Sequence, residues 1–299
     1  MGYLFLLVAL LAGATKGYCG KKTSGYLSEY KDAMFINFIR MLFCLIIGFT
    51  VMIFNGNISS LAVDTPTLLI TLCSGVTTSI FVVTWLISVK HGAYMMLDVF
   101  LMLGVCIPII CGKILYNEPI KATQIIGLII LTVAVFIMCS YNNSIKKKIN
   151  ITSFILLLLC GIANGFTDFS QKMFVNSSPN ASIAVFNFYT YLFSAVTLLI
   201  FYIIFRNSNT STEKKSEGKI LGKIIGYVAV MSVCLYINSF FKTKAAIYIP
   251  SVQLYPLNQG TALMLSTFMS AVLFKEKLTV KCIIGIITSF IALIIINVL

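Results

Sequence analysis

Of 299 residues, 59% are hydrophobic and only 10% charged, with a mean hydropathy of +0.98. A soluble domain averages about 45–50% apolar and about 25% charged residues, so this composition excludes a water-soluble enzyme or binding module and places the chain in a bilayer. The net charge of +13 is no sign of nucleic acid, because it follows the membrane topology.

A transmembrane helix needs about 20 apolar residues. Ten stretches approach that length: 3–20, 33–54, 67–89, 93–115, 122–141, 151–173, 181–205, 220–241, 251–274 and 279–298. The first run ends at Ala12-Gly13-Ala14, a sequence like a signal-peptide cleavage site, but no Lys or Arg precedes it, so a retained span is expected. This span carries Lys16 and Tyr18 around a Gly13/Gly17 pair, and the second carries Arg40. The third ends at Trp85, the single tryptophan, whose position suits an interfacial anchor. In the fourth, Tyr94 and Asp98 share a face by i,i+4 spacing. The sixth repeats the glycine pair as Gly161 and Gly165, with Asn164 and Phe166 beside it and Asp168 and Lys172 one turn apart. Tyr236, Asn238, Lys242 and Lys244 belong to the eighth span and its end, and Tyr255 and Gln259 share a face of the ninth.

The chain repeats itself. Leu115 to Met138 lies over Leu273 to Ile296 without a gap, 158 positions apart, with eight of 24 positions identical, including Glu118 over Glu276 and Gly127 over Gly285. Gly13/Gly17 against Gly161/Gly165, and Asn37-Phe38 against Asn187-Phe188, extend the match. Five helices per half is an odd number, so the second half enters the membrane from the opposite side, the inverted-topology repeat of many secondary transporters. The expected fold is an all-α integral membrane protein of ten transmembrane helices in two inverted five-helix repeats. The repeats, 1–144 and 145–299, form one membrane domain.

Sixteen of the 22 Lys and Arg fall at the connections after spans 1, 3, 5, 7 and 9, here called side A. The opposite side B has only Lys113, Lys121, Lys172, Lys242 and Lys244. By the positive-inside rule side A is cytoplasmic and both termini are outside. Nine cysteines without a CxxC, and a single histidine, His91, leave no zinc pattern. HExxH, GxSxG and GxxxxGK[ST] are absent as well, so neither an enzyme, a metal, a cofactor nor ATP-driven transport is expected.

Each repeat closes on a helix, a short Glu-bearing turn and a Gly-containing last helix. The residues are Leu115-Tyr116-Asn117-Glu118 with Gly127, Leu273-Phe274-Lys275-Glu276 with Gly285, and Arg40 early in the second span. This organisation resembles the drug/metabolite transporter superfamily, specifically its EamA-type members. The resemblance implies a carrier moving small metabolites, amino acids or drug-like solutes through a central cavity, in the cell membrane. It also implies cytoplasmic termini and a basic loop between helices 2 and 3, whereas Asn55 to Pro66 holds no Lys or Arg.

Charged residues inside spans cost about 2.5–3.5 kcal/mol each at the bilayer centre on insertion scales, and so are functional candidates. Asp98 and Arg40 both lie about 9–10 Å from side A, which predicts a Lys16, Arg40 and Asp98 cluster there. Asp168, Lys172, Lys242 and Lys244 form a second set near side B. The expectation is two charged gates around a midplane site, with Tyr18, Tyr94, Asn164, Phe166, Tyr236, Asn238, Tyr255 and Gln259 bordering it. Tyr94 and Tyr236 about Asp98 would suit an organic cation, while Lys16 and Arg40 would suit a zwitterion or an anion. The alternative is a membrane receptor or assembly scaffold that keeps the carrier fold without flux. A small solute and lipid are the expected partners; proton or ion coupling, and monomer or homodimer, stay open.

Overall fold

The computed structural model describes residues 1–27, 30–54, 61–90, 94–139, 151–178, 181–206, 217–273 and 280–298. These form eleven α-helices: α1 (Gly2–Ser24), α2 (Tyr30–Phe54), α3 (Thr65–Lys90), α4 (Tyr94–Gly104), α5 (Cys106–Tyr116), α6 (Ala122–Cys139), α7 (Ile151–Ser177), α8 (Ile183–Arg206), α9 (Glu217–Ala246), α10 (Ser251–Leu273) and α11 (Val280–Val298). Six of them, α1, α2, α3, α7, α8 and α9, are long and apolar enough to cross a membrane. Their outer faces, and those of α6 and α11, carry exposed Leu, Ile and Phe, such as Ile125, Ile129, Val133 and Phe136 one turn apart on α6. Facing lipid, that surface needs no burial.

The expected single span 93–115 is two helices. Proline has no N–H and its ring clashes with the carbonyl four residues earlier. Pro108 therefore disrupts the ladder at Gly104, and the chain turns at Val105, whose N–H bonds the carbonyl of Met102 at 3.1 Å.

Lipid supplies no hydrophobic drive between helices, so close packing of small residues takes over. A Cβ on Gly161 would lie 2.2 Å from the Phe100 carbonyl oxygen, and one on Gly165 would lie 2.4 Å from that of Gly104. The glycine pair of α7 thus seats α4 backbone against backbone at the break. Gly127 of α6 is equally confined, its Cβ position 2.6 Å from Ile296 of α11.

The helix pairing maps onto itself when residues 1–139 are exchanged with 151–298. α1 packs on α9 as α7 packs on α3, and α1 meets α10 as α7 meets α4 and α5. The equivalent helices α2 and α8 pack on each other, as do α6 and α11. α2 runs antiparallel to α8, since Phe35 meets Tyr202 (ring centroids 5.8 Å) while Phe49 meets Phe188 (6.3 Å). α3 and α7 are also antiparallel, joined by Thr67 to Ser178 at 2.6 Å, Thr77 to Thr167 at 3.1 Å and Cys160 to the Phe81 carbonyl at 3.9 Å.

Candidate functional site: a cavity closed at one end

Helices from both halves wall a cavity of about 110 Å³. One water needs roughly 10–15 Å³ on this measure, so the space takes several waters or a small solute. Small residues create it: Gly13, Ala14 and Gly17 of α1 face it, and at Gly13 a Cβ would come within 3.2 Å of Asn238 Nδ2. Asn238 in turn donates to the carbonyl of Ala9 at 2.7 Å, tying α9 to α1. The lining runs from Lys242 and Gln171 near side B to Trp85 and Met269 near the side A ends of α3 and α10.

Two ion pairs lie at the side B end, one of them fully within the protein. Lys242 of α9 binds Asp168 of α7, which is fully buried. Asn164 Nδ2 donates to the other carboxylate oxygen at 3.4 Å, and the Tyr255 hydroxyl donates to the Asp168 backbone carbonyl at 2.7 Å. Beside them Lys172 Nζ lies 2.7 Å from Glu118 Oε1. Asn117 adopts a left-handed conformation (φ 50°) at the end of α5, and the Glu118 N–H returns to the Gly112 carbonyl at 3.3 Å, which aims the Glu118 side chain across the molecule. There Glu118 Oε2 accepts the Ser251 N–H at 2.9 Å, at the first residue of α10. Lys172 donates to the carbonyl of Ala246 at 3.2 Å, the last residue of α9. Each charge thus sits at the helix end whose dipole favours it, and the pair clamps the α9–α10 corner.

Near side A the charges are arranged otherwise than expected. Asp98 accepts a hydrogen bond from the Ser266 hydroxyl of α10, while Arg40 Nη1 donates to Asn37 Oδ1, one turn back on its own helix, at 3.2 Å. Asp98 and Arg40 do not meet, because α4 packs on α7 and α10 whereas α2 packs on α8 and α9. Lys16 lines the cavity without joining Asp98, its amine 5.9 Å from the centre of the Phe81 ring. Trp85 is no interfacial anchor: it is 7% exposed, borders the cavity, and its ring occupies the space a Cβ on Gly20 would need, 2.5 Å away.

Of the candidates, Lys16, Asp98, Asn164, Asn238, Lys242 and Gln259 line the cavity. Others fall elsewhere. Phe166 is 40% exposed on the outer face of α7, two residues and hence about 200° around from Asn164. Tyr18 stands in the same relation to Lys16 and lies near the Lys22 amine, 5.9 Å from its ring centre. Arg40 is buried behind the wall; Asp168 and Tyr255 lie behind Lys242 rather than in the lining. Tyr236 stacks between Tyr191 and Phe240 at 6.1 and 6.2 Å, on α9, so it does not flank Asp98. The side chain of Tyr94, and Glu276, lie outside the described residues. Lys172 pairs with Glu118 rather than with Asp168 one turn away, and Lys244 sits 4.6 Å over the Phe5 ring. Sequence reasoning used Glu118 only as a repeat marker; its clamp was readable as an acid directly after a left-handed Asn turn. Ser266, Ser239, Thr190 and Gln171 carried no signal, since Ser and Thr within helices commonly bond their own backbone.

Among curated proteins no match is found. A solved structure described only as "Crystal structure of protein" is similar over 99% of this chain and 96% of its own, with a TM-score of 0.71 at 12% identity. That likeness concerns the fold alone. The profile of the EamA-like transporter family matches residues 1–140 and again 151–298. With a twice-matched profile across nearly all of its length, the chain belongs to the EamA-like transporter family, within the drug/metabolite transporter superfamily.

Proposed function

We propose that this protein is a secondary transporter that carries a small polar solute across the cell membrane by alternating access between two inverted halves. The observation that carries the reading is the cavity itself: walled by both halves, with Lys16, Asp98, Asn164, Asn238, Lys242 and Gln259 set among apolar side chains, bordered by ion pairs at side B and lined to near the helix ends at side A. The antiparallel packing of the equivalent helices α2 and α8 supports inversion of the repeats. With side A cytoplasmic by its Lys and Arg excess, this is the form shut to the outside. Opening the other way breaks Asp168–Lys242 and Glu118–Lys172 and exposes their charges to cavity water rather than lipid, which keeps the two forms close in energy.

The test is counterflow in liposomes. Solutes that raise the melting temperature of the purified protein, because they bind only its folded state, are expected to exchange across the bilayer. A solute that binds and never exchanges would favour the receptor or scaffold.

A further inference from the structure

The side B half of the cavity carries hydrogen-bonding groups that the protein leaves unused. Among the described residues, Ser74 Oγ on α3, Gln171 Oε1 on α7, and Asn187 Nδ2 and Thr190 Oγ1 on α8 have no partner, and all four residues are at most 3% exposed. Ser74, Gln171 and Thr190 line the cavity. Asn187 joins them through Ser239, whose hydroxyl donates to Asn187 Oδ1 at 2.7 Å and accepts from Gln171 Nε2 at 3.3 Å. Gly75 lets α3 and α8 close up there, a Cβ at its position lying 2.9 Å from the Thr190 carbonyl oxygen. Buried polar groups in folded proteins are nearly always satisfied. Two hydroxyls and an amide oxygen together form a neutral surface of mixed donors and acceptors, which the hydroxyl groups of a solute match.

The charge around this floor is positive. Lys16 makes no hydrogen bond or ion pair with the described residues, and it lies in electrostatic reach of Arg40 and Lys242, with Asp168 the carboxylate in that group. Asp168 is committed to Lys242, and among the described residues Arg40 donates to the neutral Asn37. Lys16 and Arg40 are left without a balancing acid, while Asp98 is held by Ser266 on another wall.

We propose that the cavity binds a small hydroxylated anion, its acid group at Lys16 and its hydroxyls on the floor formed by Ser74, Gln171 and Thr190. This rests on the carrier reading and names the solute class for it.

Three kinds of probe separate the two ends of the site: hydroxy acids (glycerate, gluconate), acids without hydroxyls (propionate, hexanoate) and polyols without charge (glycerol, sorbitol). By thermal shift and by counterflow, the hydroxy acids are expected to be preferred about tenfold or more over both other sets, the size of one or two satisfied hydrogen bonds. Thr190→Val with Ser74→Ala should abolish the preference for hydroxy acids over plain acids, and Thr190→Ser should keep it. Lys16→Gln should abolish the preference for acids over polyols. Equal binding of gluconate, hexanoate and sorbitol by the unaltered protein overturns the proposal, and this holds even if the variants fail to fold. A preference that survives loss of the two hydroxyls also overturns it, because water alone then fills the floor. Exchange of other solutes without any of these probes defeats the solute class and leaves the carrier standing; no exchange across a wide panel defeats the carrier itself.

Discussion

The two ends of the cavity are held by different physics. At side B four charged side chains pair as Asp168 with Lys242 and Glu118 with Lys172, and the second pair is bonded to the ends of α9 and α10. Toward side A a ring rests on a glycine, Trp85 against Gly20, and Asp98 accepts the Ser266 hydroxyl. An ion pair inside a membrane protein is held by geometry, since separation without water is expensive. The comparison teaches that charges placed at helix ends fix the side B corner, whereas Trp85 and Asp98 are seated by a glycine contact and a hydroxyl.

The largest blow to this contrast is Lys242→Met. It leaves the buried Asp168 without its lysine partner, at a cost of about 3–5 kcal/mol. A sharp fall in melting temperature is expected, with most of it recovered when Asp168→Asn is added. A single variant as stable as the original would mean that side B is not pinned by charge.

Gly20→Val comes next. Its side chain would enter the Trp85 ring, 2.5 Å from the Cβ position, and overpacking of this kind costs about 1–3 kcal/mol. Because the chain has one tryptophan, emission fluorescence reads the ring directly, and a shifted spectrum is expected. An unchanged spectrum would show that the ring is not seated on this glycine.

Glu118→Gln is milder, about 1 kcal/mol, as it removes a carboxylate from a helix N-terminus and from a partner lysine. Hydrogen exchange at Ser251 and the corner before it should speed up, while the α3–α7 contact stays protected. Smallest is Asp98→Asn, for which stability should move by less than about 0.5 kcal/mol because the amide oxygen still accepts from Ser266. Solute exchange should nevertheless fall, and unchanged kinetics would remove Asp98 from the transport cycle.

What the sequence made legible follows from local physics. Apolar run lengths marked the helical segments, six of them long and apolar enough to cross a membrane, and the scarcity of charge in them singled out Lys16, Arg40, Asp98, Asp168 and Lys242. The glycine pair of α7 was readable as a packing site. The partners were not legible, because they are set by which helices touch. Asp168 has Lys172 one turn away yet binds Lys242, 74 positions on. Asp98 and Arg40 share a depth but stand on different helix neighbours. The break in the fourth span was readable in principle, since Pro108 falls four residues after Gly104, but around it Val99 to Gly112 carries no charge and the long apolar run hides it. The hydroxyl floor was out of reach for a different reason: a serine or threonine in a helix gives no outward sign of whether its oxygen is already spent.

The helix pairing has one further consequence. The most extensive contacts, α1 with α9, α3 with α7, α6 with α11 and α2 with α8, all join the first half of the chain to the second. Each half therefore supplies much of the surface the other packs against. Cut within 140–150 and produced as separate pieces, the halves should accumulate together and be degraded apart.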